Sequence, residues 1–126
     1  MSDKCVLIVE DSPELADTLQ DILIMHGYKA LVALSGREGV ALALEHHPDL
    51  VMLDIRLPDM DGYTVFQKIR SDAWGATARI MILTASESIE NISKNINLPL
   101  EHIMFKPDSS VALIAQRIEQ RLNEMV

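Results

Sequence analysis

Cys5-Val-Leu-Ile-Val-Glu-Asp-Ser-Pro13 decides the fold. Its first five residues are apolar without alternation, the pattern of a strand covered on both faces. Two acids follow, and Ser12-Pro13 then supplies a helix N-cap with proline at the first helical position. A doubly buried strand that feeds directly into a helix is the opening half of a βαβ unit. The helix closes at His26-Gly27, and a second strand fits Lys29 to Leu34. Ser35-Gly-Arg-Glu38 has capping-box spacing and opens a second helix that ends near His47-Pro48. Leu50-Val-Met-Leu53 is another buried strand, and the turn-rich Leu57-Pro-Asp-Met-Asp-Gly62 leads into a helix carrying Val65, Phe66 and Ile69. Arg79 to Leu83 is a fourth strand, Ser86 or Ser88 caps a helix running toward Asn97, and His102 to Phe105 makes a short fifth strand. Asp108 or Ser109 starts a last helix with Val111, Ile114, Ile118, Leu122 and Met125 on one face. Five strands alternating with five helices predict an α/β fold: right-handed crossovers and a parallel sheet sandwiched between helices.

Composition sets the class. The 126 residues are 48% apolar and 24% charged, the balance of one globular domain, expected to span 1–126 without repeat or linker. Eleven basic residues against nineteen acidic leave a net charge of −8. Such a surface repels phosphate backbones and anionic headgroups, so neither nucleic acid nor membrane is an expected partner. The single cysteine allows no intrachain disulfide, the Met-Ser-Asp-Lys start has no signal-peptide pattern, and no apolar run approaches a membrane span. A cytoplasmic location is expected.

Sites in such sheets lie beyond the carboxyl ends of the strands. Those ends carry Glu10-Asp11, Asp54, Thr84 and Lys106-Pro107; only the second strand ends blandly, at Leu34-Ser35. Taken singly, each is an ordinary loop or cap residue. Jointly, three carboxylates on one rim repel one another unless a cation neutralises them, and Mg²⁺ is the hard oxygen-seeking ion suited to that. A carboxylate there can act as a nucleophile toward phosphorus, with Thr84 and Lys106 as donors to the phosphoryl oxygens.

This order of residues resembles the response-regulator receiver domain of two-component signalling, of the chemotaxis-regulator type, over the chain from Lys4 to Glu124. The resemblance implies a flavodoxin-like sheet of order 2-1-3-4-5. It implies Asp54 as phospho-acceptor, served by a sensor histidine kinase or histidine phosphotransfer protein, with Thr84 and Lys106 on the phosphoryl oxygens. It also implies Mg²⁺ held by Glu10, Asp11, Asp54 and the main-chain carbonyl of Arg56, and Ala85 as the small residue beside the phosphoryl group. A downstream protein partner is implied on the face of helix four, strand five and helix five. The receiver would catalyse its own modification rather than turn over a separate substrate. By the same resemblance, Arg56 and Ser86 occupy variable positions that would tune the lifetime of the phosphorylated state.

The chain departs from the family pattern in places. Ile103 stands where an aromatic is usual, with Phe105 two residues on; Asn97-Leu-Pro-Leu-Glu101 replaces a Gly-Ala turn; Asp108 follows Lys106-Pro107. Two other readings remain at this point. One is a pseudo-receiver that no longer takes phosphate, and the other a small aspartate-nucleophile phosphatase, which wants an acid where Arg56 stands.

Among the remaining residues, Leu15, Leu19 and Ile22 form one stripe of the first helix, with Ile24 nearly opposite as a docking candidate for a partner helix. His46 and His47 point too far apart for one metal and, like His26, favour a helix C-terminus. Cys5 reads as core, the methionines as gap-fillers, and Trp74 as either an exposed contact or a loop cover. Glu10-Asp-Ser-Pro13 lacks the glycines of a nucleotide loop, and no G-x-S-x-G occurs.

Overall fold

The computed structural model describes residues 4–124. The expected place of Met125 on the last helix, and the Met-Ser-Asp start, lie outside the described residues. Strands β1 (Cys5–Val9), β2 (Lys29–Ala33), β3 (Leu50–Asp54), β4 (Ile80–Thr84) and β5 (Ile103–Phe105) alternate with helices α1 (Pro13–Met25), α2 (Gly36–His46), α3 (Gly62–Arg70), α4 (Ile89–Ile96) and α5 (Val111–Asn123). All neighbouring strands pair in parallel, in the order β2-β1-β3-β4-β5, the flavodoxin-like arrangement that the resemblance implied.

The unbroken apolar runs have a direct cause: each inner strand packs on both sides. Val6, Ile8, Met52 and Leu83 face α1 and α5, where they meet Leu19, Leu23, Ile114 and Ile118. Leu7, Val9, Val51 and Leu53 face the opposite layer, with Val65 and Ile69 of α3 and Ile92 of α4. The buried stripe of α1 is Ala16, Leu19 and Leu23, flanked by the half-buried Leu15 and Ile22, and Ile24 is 53% exposed as expected.

Each helix starts at a side-chain cap. Ser12, Ser35, Asp61, Ser88 and Ser110 accept from Leu15, Glu38, Thr64, Asn91 and Leu113 N–H, each worth about 1 kcal/mol to its helix. The last cap corrects the sequence expectation of Asp108 or Ser109. Lys106–Asp108 forms a 3₁₀ turn closed by Ser109 N–H on Lys106 C=O, and the Ser109 hydroxyl donates to Phe105 C=O, so α5 begins only after Ser110.

Three further expectations change. Cys5 is half-buried, at the strand's open end, where its N–H donates to Asp49. His47 leaves α2 in the left-handed region (φ 48°) and stacks on Trp74 with ring centroids 4.8 Å apart, so only His46 sits in the last turn and Trp74 is a loop cover. Met52, Met81 and Met104 do fill the core, whereas Met25 is 80% exposed.

Candidate functional site

The carboxyl ends of four strands deliver their polar residues to one cleft. It measures about 280 Å³ and is lined by Asp11, Asp54, Arg56, Leu57, Pro58, Ala85 and Lys106. Glu10 and Asp54 are buried beneath it (0% and 2% exposed), and Asp11 is exposed at its rim. One oxygen from each of the three carboxylates lies within 4.8 Å of the others. The Lys106 ammonium crosses from β5 to stand 2.9 Å from Asp54 Oδ2 and 2.8 Å from Glu10 Oε1.

The two buried acids differ in their remaining partners. Asp54 Oδ1 accepts from Arg56 N–H at 2.9 Å, and Glu10 Oε2 accepts from Ser12 N–H at 2.9 Å. Glu10 Oε1 is buried without a hydrogen bond; its contact with Lys106 is an ion pair out of hydrogen-bond alignment. Three clustered carboxylates, two of them sharing one ammonium, make an all-oxygen donor set that fits a hard divalent cation such as Mg²⁺.

Burial pushes the Glu10 carboxyl up to about 7, with Lys106 and the Ser12 N–H pulling the other way and Asp54 adding to the rise. Between the ordinary value of 4.5 and about 7 the folded protein keeps a proton that the unfolded chain has released. Stability of the metal-free protein is therefore expected to fall as pH rises through that window. Urea unfolding below and above it checks this, and Glu10→Gln or added Mg²⁺ should flatten the fall.

The β3–α3 connection is built to present Asp54. Gly62 N–H donates to Ile55 C=O at 2.7 Å, and Arg56 bridges to Asp61, folding the loop back on itself. A Cβ on Gly62 would stand 2.5 Å from Ile55 Cα and 2.8 Å from Asp54 C=O, so the close approach requires glycine. The Asp59 carboxylate accepts from Gly36 and Arg37 N–H at 2.7 and 2.9 Å, tying this loop to the start of α2, and those bonds hold its carboxyl below the ordinary value. Sequence reading missed Asp59, because no local spacing relates a loop acid to a helix start so far upstream.

Thr84 is fully buried at the end of β4, yet its hydroxyl does not turn to Asp54. It donates to Glu87 C=O at 2.9 Å and accepts from Glu87 N–H at 3.1 Å. Ala85 lines the cleft, and the Arg56 guanidinium reaches out to Ser86 Oγ at 3.4 Å. Ile103 is 4% exposed and opposite Ile82, whereas Phe105, opposite Thr84, lies half-buried beside Ser88 and Ile89 of the α4 start. The structure thus gathers Glu10, Asp11, Asp54, Arg56, Ala85 and Lys106 in one cleft and leaves the Thr84 hydroxyl engaged elsewhere. Glu87 was not anticipated.

A doubly wound parallel sheet with buried acids and a lysine converging at its carboxyl edge defines an α/β domain with an acidic site at its strand ends. The model of the family "Response regulator receiver domain" matches residues 6–118, and the chain belongs to that family. It is a receiver domain of two-component response regulators. The chain is 34% identical over 111 residues to the DNA-binding dual master transcriptional regulator RpaA of Synechocystis, covering 88% of this chain and 46% of that protein. It is 31% identical to the transcriptional regulatory protein PcoR of Escherichia coli, covering 88% of this chain and 48% of that one. The chain thus spans about half the length of these relatives. A crystal structure of a CheY-like response regulator receiver domain protein from Methanospirillum hungatei JF-1 superposes with a TM-score of 0.82 at 27% identity, covering 98% of this chain and 96% of that one. Among the described residues, no helix is long and apolar enough to cross a membrane.

Proposed function

We propose that Asp54 accepts a phosphoryl group from a sensor histidine kinase or histidine phosphotransfer protein, and that the chain signals through protein contacts. One observation carries this reading: Asp54 lies beneath an open cleft with Lys106 Nζ 2.9 Å from one oxygen and the Arg56 N–H 2.9 Å from the other. A buried carboxylate held from two sides is oriented, and it is desolvated except toward the cleft.

In the transfer, an Asp54 oxygen forms a bond to phosphorus while the bond from phosphorus to the donor imidazole nitrogen breaks. The leaving nitrogen keeps the electron pair and takes a proton from solvent. Lys106 faces the negative charge that gathers on the phosphoryl oxygens, and Ala85 leaves them room. Glu10, Asp11, Asp54 and the main-chain carbonyl of Arg56 would hold Mg²⁺, which when bound supplies positive charge to the same oxygens. Thr84 must give up its bonds to Glu87 before its hydroxyl can join them. The chain modifies itself and turns over no separate substrate.

The net charge of −8 favours protein partners over nucleic acid, and a cytoplasmic location suits a chain served by a phosphohistidine donor. The donor would dock on α1 beside Ile24, and the output partner on the face of α4, β5 and α5. Residues 1–126 act on this reading as one receiver unit.

The test is intact mass after incubation with Mg²⁺ and acetyl phosphate. A gain of one phosphoryl group, blocked by chelation, is expected. A chain left unmodified, beside a control receiver that is modified and with a phosphohistidine donor also present, would overturn the reading in favour of a pseudo-receiver.

A further inference from the structure

The β4–α4 loop is fastened at a point outside the cleft. The Glu87 carboxylate, half-buried, accepts from Tyr63 Oη at 2.8 Å and from Asn91 Nδ2 at 2.6 Å. Tyr63 is the second residue of α3, and Asn91 lies in the first turn of α4. Asn95, one turn further along α4, donates to the same Tyr63 oxygen at 3.5 Å. Burial, with the Glu87 carboxylate, holds the Tyr63 phenol above its ordinary value, so it stays a donor. Glu87 and Asn95 thus meet at one hydroxyl of α3, and Asn91, between them at i+4, braces the Glu87 carboxylate.

Glu87 also fastens Thr84. A threonine hydroxyl has one proton to give, and Thr84 gives it to the Glu87 carbonyl while taking the Glu87 N–H. No donor remains for a phosphoryl oxygen in this arrangement. The loop's hold on Thr84 and the loop's anchorage to α3 pass through the same residue.

We propose that Glu87 is a positioning residue for Thr84: anchored by Tyr63 and Asn91, it holds the Thr84 hydroxyl away from Asp54, and its release sets how readily Thr84 joins the phosphoryl group. The proposal rests on the reading of Asp54 as phospho-acceptor and adds the residues that restrain the switch. Because the anchor is on α3, the restraint couples the α3–α4 seam to the occupancy of Asp54, through a loop whose two hydrogen bonds exist in only one of the two arrangements.

Glu87→Ala, Glu87→Gln and Tyr63→Phe, set beside wild type, test it with two readouts. The first needs no ligand: three-bond couplings that report the Thr84 side-chain rotamer. Wild type should show one rotamer, Glu87→Ala and Tyr63→Phe an average of two, and Glu87→Gln, which keeps an acceptor oxygen for Tyr63, should restore the wild-type value. The second is affinity for the phosphoryl analogue beryllium trifluoride with Mg²⁺. It is expected to tighten about two- to tenfold in Glu87→Ala, the equivalent of one hydrogen bond removed from the resting state. A purely structural role for Glu87 would weaken binding along with stability, the opposite sign. An unchanged Thr84 rotamer in Glu87→Ala, or weaker binding, overturns the proposal. If wild type itself fails to bind the analogue, the reading of Asp54 falls, and the rotamer measurement still decides whether Glu87 positions Thr84.

Discussion

Asp54→Asn is expected to abolish phosphorylation and, in the same protein, to raise stability. The first effect follows from chemistry: an amide has no carboxylate oxygen to bond phosphorus, and the buried alternative, Glu10, lies beneath the cleft at 0% exposure. Intact mass with acetyl phosphate and Mg²⁺ should show no gain. The second effect follows from the charge balance. Glu10 and Asp54 share one ammonium, Lys106, with Asp11 as a third carboxylate beside them, and the charge on Asp54 adds to the rise of Glu10. Asparagine keeps an acceptor for the Arg56 N–H and leaves Lys106 paired with Glu10 alone. A gain of about 1 kcal/mol in metal-free urea unfolding at neutral pH is expected, shrinking when Mg²⁺ is added to both proteins. A function-bearing group that costs stability is the signature of a site held for chemistry rather than for folding. An Asp54→Asn protein that still takes one phosphoryl group would move the acceptor elsewhere.

Lys106→Met should have the larger effect on folding. The ammonium is 24% exposed, while the carboxylates it joins are nearly inaccessible, so its removal leaves two buried anions facing each other. Breaking a fully buried pair costs about 3–5 kcal/mol; partial exposure of Lys106 and the ability of Glu10 to take up a proton bring the expectation to about 2–3 kcal/mol. That escape gives the loss a pH signature. Lys106 pulls the Glu10 carboxyl down, so its loss raises that carboxyl further: the full penalty applies only well above pH 7, where Glu10 is forced to ionise, and near pH 5, with Glu10 protonated, the repulsion between the two acids is gone. Mg²⁺ should restore much of the stability, because the donor set then recovers a cation. It should not restore the rate of phosphorylation from acetyl phosphate, expected to fall about a hundredfold with the loss of the ammonium facing the transferring group. Equal destabilisation at both pH values would argue that Lys106 acts through packing of its stem.

Much of this protein is legible in its sequence, for reasons that are local. Continuous apolar runs at Val6–Val9 and Leu50–Leu53 mark strands covered on both sides, because a strand with one wet face would alternate. Ser12, Ser35 and Ser88 mark helix starts, because a cap and the N–H it serves lie three residues apart. Even the site was indicated, since a parallel sheet carries its strand ends to one rim, whatever fills the core. Where the reading slipped, the cause was a competing local structure: a 3₁₀ turn at Lys106–Asp108 moved the α5 cap to Ser110, and a left-handed His47 left the helix to cover Trp74.

The sequence by itself determined the layers and which polar residues stand at the strand ends, since periodicity, caps and the handedness of crossovers act over a few residues or a single unit, while the strand order rested on the resemblance to receiver domains. Only the tertiary structure decided what those residues do to one another. Lys106 bridges both buried acids, Asp59 caps a helix from another loop, and Thr84 is bound to Glu87, which Tyr63 of a different helix holds in place. The reason is geometric: a hydrogen bond or ion pair depends on ångström placement of side chains brought together by packing, and distance along the chain carries no record of it.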